Sequence, residues 1–115
     1  MPFDRGDVVL VLFPNSDLRT AKKRPALVVQ RTRLGTGLSQ AVVAMITGNL
    51  ARDGHPSRAR VLRDSSQGRE MGLLTDSVVM ADNLATVLED EIDRRIGKCE
   101  DMTAVDSALR YTLAL

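Results

Sequence analysis

The chain has 115 residues and a net charge of only +1, so it is read as a single domain over 1–115 able to bury roughly two-thirds of its unfolded surface. With 43% hydrophobic and 27% charged residues, it lacks the composition of a disordered chain. A lone Cys99 excludes an internal disulfide, and with a lone His55 it leaves no zinc set; no apolar run approaches the ~20 residues of a membrane span.

The first predicted element is a strand over Val8–Phe13, a β-branched apolar run stopped by Pro14-Asn15-Ser16-Asp17. It follows Asp4 and Asp7 and is six residues long, so it is no signal peptide, and the expected setting is cytoplasmic. Arg5-Gly6-Asp7 in that setting is a turn and not an integrin ligand. A polar, basic loop, Asn15–Lys23, comes next. Pro25 then opens a second strand, Ala26–Gln30, and biases Arg24 toward an extended backbone. Leu34–Gly37 is a turn, and a third strand covers Gln40–Thr47, ending at Gly48-Asn49. Asp53-Gly54 is a hairpin signal. Short strands are expected at Arg60–Arg63, around Val78–Met80 within 77–87, and at Ile92–Lys98. Met102, Val105, Leu109 and Leu113 then recur at helical spacing, with Asp101 as the N-cap. Short strands with regular turns and one terminal helix predict a mainly β, partly open barrel.

Charge is unevenly placed. Between Asp17 and Asp53 there is no acid, while Arg19, Lys22, Lys23, Arg24, Arg31, Arg33 and Arg52 fall in that interval. A nearly neutral chain with a basic half still presents a positive field to a polyanion. Two strand ends in this half carry chemistry. Arg24 offers a planar, permanently charged fork suited to phosphate oxygens. Thr47 offers a hydroxyl, and Gly48 and Asn49 give the backbone room to approach a ligand. Spacing alone leaves open that Arg24 is a solvated charge and Thr47 a strand-end residue.

The ordered set RGDVVLVLFPNSDL, KKRPALVVQ, AMITGN, DSVVMADNLATV and IDRRIGKC resembles the PemK/MazF-like toxins, endoribonucleases of toxin–antitoxin modules. The resemblance spans nearly the whole chain. It implies a small SH3-like β-barrel with a C-terminal helix, usually a homodimer, that cuts single-stranded RNA without a metal or other cofactor. The products would be a 2′,3′-cyclic phosphate and a 5′-hydroxyl. It places the catalytic arginine of the RP motif at Arg24 and the catalytic hydroxyl closing the IT strand at Thr47. Gly48 and Asn49 amides would then hold the phosphate, Lys22 and Lys23 would position the backbone, and Asn15, Ser16 and Asp17 would contact bases. An arginine with a pKa above ~12 is a poor base, which leaves His55 as a candidate base that the resemblance does not carry. With Phe3, Phe13 and Tyr111 as the only aromatics, stacking contributes little, and Phe13 is assigned to the core. The loop NSDLRTAKK departs from the GSEQ-type loop of the better-studied branch, which bears on substrate contacts more than on fold. A cognate antitoxin is the implied partner. The same barrel also serves gyrase-binding CcdB-type toxins and inactive interaction modules, so fold alone does not settle function.

Overall fold

The computed structural model describes residues 2–14, 19 and 21–115. Six antiparallel strands form one sheet: β1 (Asp7–Pro14), β2 (Ala21–Val28), β3 (Gln40–Thr47), β4 (Arg58–Val61), β5 (Ser77–Leu88) and β6 (Ile92–Lys98). Their order across the sheet is β4-β5-β3-β2-β1-β6. A short helix, α1 (Ser66–Glu70), precedes β5, and α2 (Thr103–Leu113) ends the chain.

The third strand and the last one fall at their expected bounds. The second does not. It begins at Ala21, so Lys22, Lys23 and Arg24 lie within β2, paired with Phe13, Leu12 and Val11 of β1. The β1–β2 pairing carries extended backbone through what reads as a basic loop. Pro25 therefore sits inside a strand, but β3 joins β2 only from Ala26 onward. There β2 has a neighbour on one side alone, which is where strands tolerate proline. Asp101 accepts the Thr103 amide at 3.0 Å, although Met102 occupies the cap position itself.

Alternation along the strands buries both faces. One cluster joins Val8, Leu27, Ala44, Ile46, Val61, Val79 and Met71 to Val105 of α2. The other, with Val9, Val11, Ala26, Val28, Val43 and Ile92, fills the opposite face. The first of these faces is covered by Met71 and Leu73 and by Val105 of α2. Among the described residues no strand pairing joins β4 to β6, so hydrogen bonds do not close the barrel. The turn after α1 packs into the gap instead. Gly72 (φ 71°) and Gly97 of β6 let the two backbones meet: a Cβ on Gly97 would lie 2.3 Å from the Met71 carbonyl carbon.

The Arg5-Gly6-Asp7 triplet is internal. Asp7 is 2% exposed, accepts the Asp4 amide and ion-pairs with Arg95 and Lys98. Arg5 pairs with Asp106 and so ties α2 to the sheet. No helix among the described residues is long and apolar enough to cross a membrane.

Candidate active site

The site follows from strand register. The β2–β3 ladder ends at Ala26↔Met45. Two residues beyond that last pair stand Arg24 on β2 and Thr47 on β3. A cleft of about 780 Å³ opens at this point, lined by Lys22, Lys23, Arg24, Thr47 and Gly48. The far wall is Gly72–Thr75 with Ser77, Met80 and Asn83.

Every charged residue among the described lining is a cation. Arg24 is exposed, and neither it nor Lys22 forms an ion pair or side-chain hydrogen bond within the described residues. Lys23 is partly neutralised by Asp93 at 3.3 Å. A guanidinium and an ammonium without a partner among the described residues can take up an anion.

Thr47 has a defined orientation. Its Oγ1 accepts the Asn49 amide at 3.1 Å, which leaves the hydroxyl proton free to donate. Asn49 sits beside this hydroxyl. Its amide is committed to Thr47, its Oδ1 accepts the Ala51 amide at 3.0 Å, and it does not line the cleft. Asn49 thus orients Thr47. Gly48 does line the cleft, where a Cβ would approach Thr75 Oγ1 to 3.3 Å.

His55 is also placed elsewhere. Its Nδ1 lies 2.7 Å from Ser57 Oγ and its ring meets Tyr111 edge-on at 5.8 Å. It is not among the residues that line the cleft. Asn15, Ser16 and Asp17 lie outside the described residues, as does the Phe13 side chain. Among the described residues, no three His, Cys, Asp or Glu side chains group to hold an ion.

Sequence reasoning missed the far wall. α1 is only five residues, too short for periodicity, yet its caps were legible. Ser65 Oγ accepts the Gly68 amide, and Gly72 supplies the left-handed residue after the helix. The Leu73 amide reaches Gly68 O and the Gly72 amide reaches Arg69 O, the paired bonds of a Schellman turn. That turn sends Leu73, Leu74 and Thr75 along the cleft, with Leu74 85% exposed.

The chain matches the sequence profile of the PemK-like, MazF-like toxins of type II toxin–antitoxin systems over residues 4–113. No functionally curated protein matches it by sequence. Several solved structures share its fold. One is an endoribonuclease from a mycobacterial species in complex with its cognate antitoxin: TM-score 0.75, 23% identity, covering 98% of this chain and 96% of that one. The Mycobacterium tuberculosis toxin MazF-mt6 aligns with TM-score 0.74 at 24% identity, covering 95% and 97%. A MazE–MazF complex from Deinococcus radiodurans gives 0.71 at 16%, covering 99% and 95%.

Proposed function

We propose that this chain, which belongs to the PemK-like, MazF-like toxins of type II toxin–antitoxin systems, is an endoribonuclease that cuts single-stranded RNA in the cleft between β2 and β3. The observation that carries this reading is the pairing of an unpartnered Arg24 with an oriented Thr47 hydroxyl in a cleft whose described charges are all positive. A phosphodiester is the ligand such a set fits.

In this reading the ribose 2′-oxygen attacks the adjacent phosphorus. The new 2′-oxygen–phosphorus bond forms as the bond to the 5′-oxygen breaks, leaving a 2′,3′-cyclic phosphate and a 5′-hydroxyl. Charge accumulates on the non-bridging oxygens, where the Arg24 fork and the Thr47 hydroxyl donate. A preorganised donor of this kind contributes about 10²–10³ in rate. Water takes the 2′-proton and returns one to the 5′-oxygen in this reading. No step calls for a metal. Lys22 and Lys23 hold the flanking backbone, which gives affinity and steering without sequence choice.

The partner in this reading is an antitoxin whose acidic or amphipathic segment covers the basic cleft, as one fold neighbour is bound to its own antitoxin. A homodimer acting in the cytoplasm completes the proposal. The test is cleavage of a long unstructured RNA by purified protein in EDTA, with mapping of new 5′ ends, beside Arg24→Ala. Discrete cuts with 5′-hydroxyl ends, reduced at least about 100-fold in the variant, support the nuclease. A folded wild type that cuts none of several RNAs refutes it and favours a gyrase-type binder or an inactive module.

A further inference from the structure

The strand that forms the far wall is irregular at one place. β3 and β5 pair as Thr47↔Val78, Ile46↔Val79 and Met45↔Met80, then resume at Ala44↔Leu84. Ala81, Asp82 and Asn83 therefore have no counterpart on β3. Extra residues of this kind bend a strand and re-aim its side chains, and they concentrate beside active sites. Here they separate two neighbours. Asn83 lines the cleft, whereas Asp82 does not. Asp82 engages β4 and the turn before it. Its carboxylate ion-pairs with Arg58 at 3.0 Å and accepts the Ser57 hydroxyl at 3.1 Å. Ser57 is itself 3% exposed and accepts the Ala81 amide at its carbonyl, 3.0 Å away. His55 Nδ1 accepts the Ser57 amide, and the His55 ring abuts Tyr111 of α2. The bulge is thus held at Ala81 and at Asp82 by one buried serine.

Asn83 is what this hold presents. Its side-chain amide has no hydrogen-bond partner among the described residues, in a cleft whose other polar groups are cations and hydroxyls. Cations and hydroxyls contact phosphate. A carboxamide carries both donor and acceptor and matches the edge of a nucleobase.

We infer that Asp82 is a positioning residue which, with Ser57 and Arg58, sets the bulge so that Asn83 reads a base beside the scissile phosphate. This rests on the nuclease reading above. It assigns base choice to β5 in addition to whatever the loop after β1 contributes.

The test compares wild type, Asp82→Asn, Asp82→Glu and Asn83→Ala on two readouts. The first is kcat/KM on the preferred RNA site and on the same site changed one base at a time. Asp82→Asn should lose about tenfold or more of the discrimination at one flanking base, the scale of a single amide–base contact. Asn83→Ala should lose it at the same base. Asp82→Glu should restore part of the preference. A uniform loss on all sites, or an unchanged preference, overturns the inference. The second readout needs no cleavage: amide NMR signals of Ala81–Asn83 and of the Asn83 side chain should shift in Asp82→Asn. If they do not move, the positioning role is refuted even where cleavage persists. If they move but wild type cuts no RNA, the nuclease reading has failed, and the base-reading role falls with it while the clamp stands.

Discussion

Gly97→Ala probes the contact that substitutes for barrel closure. Gly97 has no left-handed φ, so space alone decides the outcome. The added Cβ would lie 2.3 Å from Met71 C and 2.4 Å from both Glu70 O and Met71 O, where ordinary contact begins at 3.4 Å. All three atoms are backbone, so no rotamer change relieves the clash. β6 and the end of α1 must part by about 1 Å. Overpacking of a fitted interior costs about 1–3 kcal/mol, and a backbone clash belongs at the upper end. At about 4 °C per kcal/mol for a domain of this size, Tm should fall by roughly 8–12 °C. The cleft should respond too, because Gly72 and Leu73 line it together with Thr47. If the cleft is the nuclease site proposed above, a shift of about 1 Å in its wall can cost about 100-fold in rate. Gly54→Ala is the control, since nothing lies within 4 Å of its Cβ position. Thermal melts by circular dichroism of the two variants decide the matter. If Gly97→Ala melts within about 2 °C of wild type, the two backbones do not meet as described.

Four further outcomes are expected. Arg24→Lys keeps a charge but loses the fork, so kcat for RNA cleavage should fall about 10- to 100-fold. Its melting point should not move, because Arg24 has no partner to strand among the described residues. Thr47→Val removes both the donor proton and the acceptor for the Asn49 amide, and should cut cleavage about 100-fold while Thr47→Ser retains most of it. Burial by itself would raise the Asp82 pKa, but the hydrogen bonds from Arg58 and Ser57 and the Arg58 charge outweigh it and leave the carboxyl below its ordinary 3.8. A depressed folded-state pKa gives stability that is complete above 3.8 and lost as pH falls through the folded value. Urea melts of wild type and Asp82→Asn should therefore converge below that pH and differ above it. Burial pushes the Cys99 thiol up, with the Asp101 and Glu100 charges adding to it against the Gln67 hydrogen bond. Its reaction with a disulfide reagent should occur only at the rate of unfolding, and labelling of folded protein within seconds would contradict this.

The fold was legible where a local pattern has one reading. Gln40–Thr47 and Ile92–Lys98 carry strand signals bounded by turn residues, and α2 carries its period of three and four. α1 escaped because five residues hold little more than one turn of periodicity, although Ser65 and Gly72 marked its ends. Arg24 and Thr47 were legible as chemistry, a permanent cation before a proline and a hydroxyl before a glycine. That they line one cleft depends on how β2 and β3 pair, with the ladder ending at Ala26↔Met45, and no local signal in either segment contains it. His55 shows the converse. Its residue type suits a base, but the turn before β4 sends it to Ser57 and Tyr111.

The sequence by itself determined the third and last strands, the terminal helix, the basic half and the two residue types suited to a phosphodiester. These follow from side-chain size, polarity and charge within a few neighbouring positions. Only the tertiary structure decided which cations lack a partner among the described residues, which amides are already spent, and which residue of Asp82-Asn83 lines the cleft. Those depend on groups distant in the chain: Asp93 against Lys23, Ser57 against Asp82, and Gly97 against Met71. Pairing and packing across such separations fix direction and availability, and a side chain's type does not.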